Sequence, residues 1–464
     1  MKTRCLIFAL LAAASATAQT NISVYRNDKT FNQIKLDAGE KISHQVEGEK
    51  PVVAFNDWIS GPQEMPLSAV DSFVVRQVDV PAVYINLTNY PDATVLWDKE
   101  LYLDATITID GNGYTDDLPV TSLQVKGRGN STWMMPKKPF RLKFPKKTAL
   151  CGMKKAKSFV LLNNYIDQSM MRNAIAMWVA RRLGVPYANS MIPCNVFLNG
   201  HYVGAYTMSE KMGINSGSVD IDESTGMLFE LSKEFDEKYK FRSKLGNLPV
   251  MVKDPDFDEL YEDEPEGLTP EERLKLWQDD FNNAERMVYG GRGAEAFDIE
   301  SAVNYILLYT FIRTNELNHP KSCYIHKVSL EAGQKYIMGP AWDFDVGFNF
   351  LGPVGNSYSA AGPNSEIKVI PLLQKLMETP EFKARYAERW KEFRQEMFPD
   401  LLEFFDAYAA LIAASAKYDG LRWPTAGVFD GWAYKLTTFD FHTQASALRK
   451  WLIDRAKYLD NRIK

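Results

Sequence analysis

Two aspartates, Asp343 and Asp345, interrupt the apolar, glycine-marked stretch GPAWDFDVGF directly after the strand-like run QKYIM. Carboxylates at the mouth of a hairpin, with an amide nearby, suit a hard divalent cation, although a turn or cap role competes for Asp345. Upstream, TNELNHPKSCYIHK brings Glu316 and Asn318 off a helix end, with Ser322 leading into the next strand. A second cluster, KGRGNSTWMMPKKPFRLKF, spans Lys126 to Phe144. Glycines 127 and 129 let a backbone turn approach a ligand and offer its N–H groups to phosphate. Lys137, Lys138, Arg141 and Lys143 follow on a strand. Alternation puts Arg141 and Lys143 on one face and Phe140 and Leu142 on the other. The same cations also suit the blunting of an exposed hairpin edge, and the glycine spacing is not a Walker loop. A third cluster, LLNNYIDQSMMRNA, sets Asp167 where a helix N-cap belongs, with Arg172 a turn inside to pair with it or reach a phosphate. His201, His319 and His326 lack zinc spacing and read as structural.

The elements that must position these residues are legible in outline. Residues 19–82 read as a small β unit, with short β-branched runs such as NISVYRN, PVVAFN and SFVVRQV. From AVYINLTNY onward, strand-like runs alternate with turn formers as far as Phe144. A helix is expected over 168–183, where Met171, Ile175, Trp178, Val179 and Leu183 recur at helical spacing and Gly184 closes the end. CNVFLNGHYVGAYTMSEKM predicts a hairpin turning at Asn199-Gly200. KDPDFDELYEDEPEGLTPEE reads as an acidic, proline-interrupted loop without calcium-loop spacing. It ends in a capping box at Thr269-Pro270-Glu271-Glu272. Helices are expected to dominate thereafter.

Composition sets the class. Apolar residues at 45% and charged residues at 24% are those of a soluble globular chain, and 464 residues imply a large domain plus a smaller one. A net charge of −5 argues against nucleic acid as a partner. The first residues, MKTRCLIFALLAAASATAQT, have the charged start, short apolar core and Ala16-Thr17-Ala18 site of a secretory signal, so residues 1–18 are expected to be removed on export. No run is long enough to span a membrane, which leaves a periplasmic, cell-surface or extracellular destination. Cys151, Cys194 and Cys323 remain, and buried free thiols are the expected state.

With these motifs together, the sequence resembles the CotH family of spore-coat-protein-H-like atypical protein kinases. KGRGNSTW…PKKPFRLKF, LLNNYIDQSMMRNAIA, VFLNGHYVGAYTMSE and GPAWDFDVGF follow the family patterns in order, over about 83–450. The resemblance implies an α+β, protein-kinase-like fold with a β-rich N-lobe and a helical C-lobe over 83–464, preceded by the small β domain. It implies ATP or another nucleotide with Mg²⁺ or Mn²⁺, and phosphoryl transfer to a hydroxyl of a protein acceptor. Lys137 and Lys138 would hold phosphates with Arg128 and Arg141 as helpers, and Glu210 would lie near the lobe junction. Asp343 matches the metal-binding acid, with Asp345 in support. In the catalytic segment Glu316 stands near the family's Asp and Ser322 where its Asn falls, with Asn318 available to the metal shell. Those departures leave a second expectation, a catalytically silent surface protein that recognises a partner or a glycan.

Overall fold

The computed structural model describes residues 20–28, 31–36, 43–47, 50–57, 61–76, 78–314, 316–348, 362–424 and 441–464. The signal-peptide reading falls outside the described residues. The chain is α+β. Six strands open it: β1 (Thr20–Arg26), β2 (Phe31–Leu36), β3 (Ser43–Glu47), β4 (Lys50–Asp57), β5 (Gly61–Pro66) and β6 (Val70–Arg76). They form two antiparallel three-stranded sheets, ordered β2-β1-β6 and β3-β4-β5.

The next seven strands close into a barrel. They are β7 (Ala82–Leu87), β8 (Leu103–Asp110), β9 (Leu118–Gly127), β10 (Phe140–Thr148), β11 (Ala156–Leu162), β12 (Ile192–Leu198) and β13 (His201–Glu210), in the spatial order β10-β11-β13-β12-β7-β8-β9. Every neighbouring pair is antiparallel except β7 with β12. Alternation decides what fills it: Phe140, Leu142 and Phe144 point inward against Phe159, Val125 and Val196, while Arg141 and Lys143 point out. The β12–β13 hairpin turns at Asn199 and Gly200, whose φ values of 49° and 79° are those of a type I′ turn. β10 is hydrogen-bonded to β9 on one side and β11 on the other, so the basic strand has no edge to protect.

A second sheet follows, ordered β15-β16-β14-β17-β18, from β14 (Met227–Leu231), β15 (Lys240–Arg242), β16 (Pro249–Asp254), β17 (Cys323–Lys327) and β18 (Ile337–Met338). Helices pack on it around the larger core. Helix Ile299–Ile312 is buried on nearly all sides, because Ala302, Val303, Ile306, Leu307 and Phe311 leave it no polar face. The two long C-terminal helices, Phe398–Arg422 and Phe441–Asp460, share this core. The capping box at Thr269 and Glu272 forms as its sequence dictates and starts helix Pro270–Tyr289. The acidic stretch before it is not wholly a loop, since Asp256 caps a short helix, Phe257–Asp263. Cys151, Cys194 and Cys323 are all free and buried. No helix among the described residues is long and apolar enough to cross a membrane.

Candidate active site

A cleft of about 450 Å³ opens where one end of the barrel meets the second sheet and the 342–346 loop. Its barrel wall is the turn that follows β9. Gly127 has no side chain because the Trp133 indole lies on it, and a Cβ there would collide with the ring. Gly129 takes φ +88°, and a Cβ would strike Thr132 Oγ1. Arg128, between them, reaches the cleft. Burial lowers its pKa while the charges of Asp343 and Tyr324 oppose that shift. Asn163 completes this wall by donating from Nδ2 to the carbonyls of Lys137 (2.5 Å) and Thr132 (3.4 Å).

The opposite wall carries the acids. Asp343 has a left-handed backbone, φ +71°, which turns the chain so that Asp345 comes back beside it. Burial and the Asp343 charge push the Asp345 carboxyl well above the usual carboxylate range, and the two side chains hydrogen-bond. Glu316 lies in the same cleft, 4% exposed, and its Oε2 has no hydrogen-bond partner among the described residues. Burial, then repulsion from Asp343, raises its pKa to about 8. Ser322, buried with φ +52°, lines the cleft next to Tyr324.

Helix Arg172–Leu183 fixes the acid loop. Expected from residue 168, it begins at Arg172 because Asp167 accepts the N–H of Ser169 (3.0 Å) and of Arg172 (2.9 Å), which folds the intervening residues into a turn. Asp167 is therefore not the N-cap residue expected: Met171 holds that position without a side-chain cap bond, and Asp167 instead accepts the Arg172 N–H from five residues back. Arg172 pairs with Asp167 and donates from Nε to the Gly347 carbonyl at 3.2 Å. Asn173 Oδ1 accepts the Phe344 N–H at 2.8 Å. Those two bonds hold 344–347 from both sides. Gly184, at φ +76°, ends the helix as its sequence position predicts.

Several expected ligands lie elsewhere. Lys137 is fully buried outside the cleft, where its Nζ donates to Asp419 Oδ1 and the Ala205 carbonyl, each at 2.5 Å. Lys138 also stays out of the cleft, donating to the Trp133 carbonyl at 2.7 Å beside the indole ring. Arg141 and Lys143 flank the Tyr102 ring on the outer barrel face. Glu210 accepts the N–H and hydroxyl of Ser190 at 2.7 and 2.8 Å, which pins the segment leading into β12 rather than reaching a ligand. Asn318 is exposed and off the cleft lining. Thus Arg128, Glu316, Ser322, Asp343 and Asp345 converge, while Lys137, Lys138, Arg141, Glu210 and Asn318 do not. Sequence reasoning missed Asn163 and Asn173; the paired asparagines of LLNNY and the Asn after Arg172 were the available signals.

The donor set can be tested against a divalent cation. Among the described residues no trio of acidic, histidine or cysteine side chains forms a closed metal cage. Two adjoining carboxylates fit Mg²⁺, which takes one or two protein carboxylates and completes its shell with water and phosphate oxygens. The cleft also carries Glu230, Glu234, Asp236 and Glu237, only partly offset by Lys253 and Lys321. Lys253 pairs with Glu230 at 3.3 Å and Glu237 at 2.8 Å, and Lys321 with Glu234 at 3.3 Å.

A family model described as CotH kinase protein matches residues 125–459, which includes every residue of this cleft. No curated protein matches the chain.

Proposed function

The chain belongs to the CotH kinase protein family, and from that premise we propose that it is an exported phosphotransferase acting on a hydroxyl of a protein acceptor. The barrel and the helical body are read as the two lobes of a kinase-like arrangement, with the cleft between them as the nucleotide site. One observation carries the reading. Glu316, buried and with an unpartnered Oε2, shares a cleft with the hydrogen-bonded pair Asp343 and Asp345. A buried acid without a partner is costly, and such groups gather where chemistry uses them.

In this reading Asp343 and Asp345 hold Mg²⁺ or Mn²⁺, which when bound offsets the charge of nucleotide phosphates. Arg128 faces the same phosphates, and the N–H groups of the 129–132 turn line their path. Glu316 accepts the acceptor hydroxyl's proton. With a pKa near 8, its carboxylate is a stronger base than an ordinary glutamate. Asn173 and Arg172 keep the acid loop in place. Ser322, which lines the same cleft, would offer its hydroxyl to the metal shell.

The test is a panel of nucleotides with Mg²⁺ or Mn²⁺ on the mature protein, followed by label transfer to mixed protein acceptors. The reading expects a thermal shift that requires nucleotide and metal together, and transfer that Asp343→Ala abolishes. No shift with any pair would overturn it. One observation favours a silent binding protein instead. With Lys137 and Lys138 outside the cleft, its cations are Arg128, Lys253 and Lys321 against a majority of acids. Metal-dependent binding without transfer would support that second reading.

A further inference from the structure

Residues 137–157 contain nine Lys or Arg and no Asp or Glu, in a chain of net charge −5. Edge protection does not account for them, because β10 and β11 are internal strands of a closed barrel. Nor do internal ion pairs. Among the described residues, carboxylates stand within 4 Å only of Lys137, which meets Asp419, and of Lys154, 3.7 Å from Asp220. Lys146, Lys147, Lys155 and Lys157 are exposed around the tip of the β10–β11 hairpin.

The opposite charge is concentrated just as sharply. Residues 254–272 hold ten Asp or Glu and no Lys or Arg. Glu262 and Asp263, in the last turn of the short helix, and Glu264 and Glu266 just beyond it are exposed, and among the described residues no ion pair joins this segment to the basic hairpin. Both segments nevertheless flank the same loop. The hairpin touches it through Lys147 Nζ on Ser216 (3.2 Å) and through Ala156 against Gly217. The acidic segment touches it through Asp254, which accepts the Ile214 N–H at 2.5 Å, and Arg273 just beyond reaches the Ser224 carbonyl at 2.9 Å.

We propose that two copies of this chain pair about a two-fold axis on this face, each basic hairpin (140–157) meeting the acidic segment (254–272) of the other. Complementary patches on one side of a molecule are what a two-fold contact needs, since each copy then supplies both halves and closes the assembly at two. Exposed charges attract over about 10 Å at 0.1 M salt, so the pairing is salt-sensitive.

The test uses the mature protein and two triple variants at exposed positions. One is Lys146→Glu, Lys155→Glu, Lys157→Glu; the other is Glu262→Lys, Glu264→Lys, Glu266→Lys. Circular dichroism establishes that each is folded. Sedimentation velocity is run at about 0.01 M salt, where the Debye length is about 30 Å, and at about 1 M, where it is about 3 Å. The expected result is a wild-type dimer at low salt that dissociates at high salt, with each variant monomeric alone. An equimolar mixture of the two variants re-forms the dimer, because one carries two acidic patches and the other two basic ones. A wild type that is monomeric at low salt overturns the proposal. So does a single variant that still dimerises, or a mixture that stays monomeric, the outcome expected if the hairpin binds an external polyanion instead.

Discussion

Lys137 and Asp419 lie 282 positions apart in the chain, yet the lysine Nζ meets the aspartate Oδ1 at 2.5 Å with no solvent reaching the lysine. The same Oδ1 accepts the Ala205 N–H at 2.7 Å, so the pair locks helix Phe398–Arg422 onto barrel strand β13. Gly204 must lack a side chain here, because a Cβ would lie 2.5 Å from the aspartate and 2.6 Å from the lysine. Burial pulls the Lys137 pKa down and the Asp419 pKa up, while their mutual attraction opposes both shifts.

Breaking that pair from one side is predicted to destabilise the fold without touching the proposed nucleotide site. Lys137→Ala or Asp419→Ala leaves a buried charge alone, at a cost of about 3–5 kcal/mol. Denaturant unfolding reads the loss. Lys137→Met with Asp419→Leu recovers most of it, and nucleotide affinity of the folded double variant matches wild type. A selective loss of affinity with unchanged stability would return Lys137 to the binding site.

Asp343→Asn is predicted to keep the fold and lose metal-dependent nucleotide binding. The change removes one of two adjoining carboxylates while preserving shape. Calorimetric titration with Mg²⁺ and nucleotide is the measurement, and an unchanged Kd places the metal elsewhere.

Glu316→Gln is predicted to raise stability near neutral pH while abolishing transfer. The folded pKa of Glu316, about 8, lies above its unfolded value, so the folded state binds the extra proton between them. Its contribution is therefore harmless below the unfolded pKa and increasingly unfavourable as pH rises toward 8. Glutamine removes that cost, roughly 3 kcal/mol at pH 7, or a melting shift of about 2–4 °C for a protein of this size. Thermal melts at about pH 5 and pH 8 separate the two cases: the variant gains over wild type much more at the higher value. Equal gains at both would detach the effect from ionisation.

Asn173→Ala is predicted to loosen the acid loop without moving any ligand. It deletes the bond to the Phe344 N–H, worth about 1 kcal/mol, and leaves that buried donor unsatisfied. Metal-dependent nucleotide affinity is expected to fall by roughly three- to tenfold, with a smaller change in melting temperature. Asn173→Asp, which keeps the acceptor, restores affinity in part.

The local devices were legible because each depends on atoms a few residues apart. Asn199-Gly200 turns a hairpin, Thr269 and Glu272 cap each other, and Gly184 ends its helix, since backbone sterics and neighbouring donors leave few alternatives. Alternation in FRLKF likewise sorted Phe140 and Leu142 inward from Arg141 and Lys143 outward. The convergence of Glu316 with Asp343 and Asp345 was accessible through the family motifs, and the cleft brings them together.

What the tertiary structure alone decided is which charges are free to act. Lys137 is chemically a phosphate ligand until Asp419 arrives from the far end of the chain, and no spacing rule reports a partner at that separation. Closure of the barrel removed the edge that would have explained the basic strand, leaving its exposed lysines to face outward. Burial, which no residue type encodes, raised Glu316 to a pKa of about 8 and separated it from the exposed Asn318 two positions on. Residue type fixes what a side chain can do; desolvation and distant partners, set only when the chain is folded, fix whether it does so.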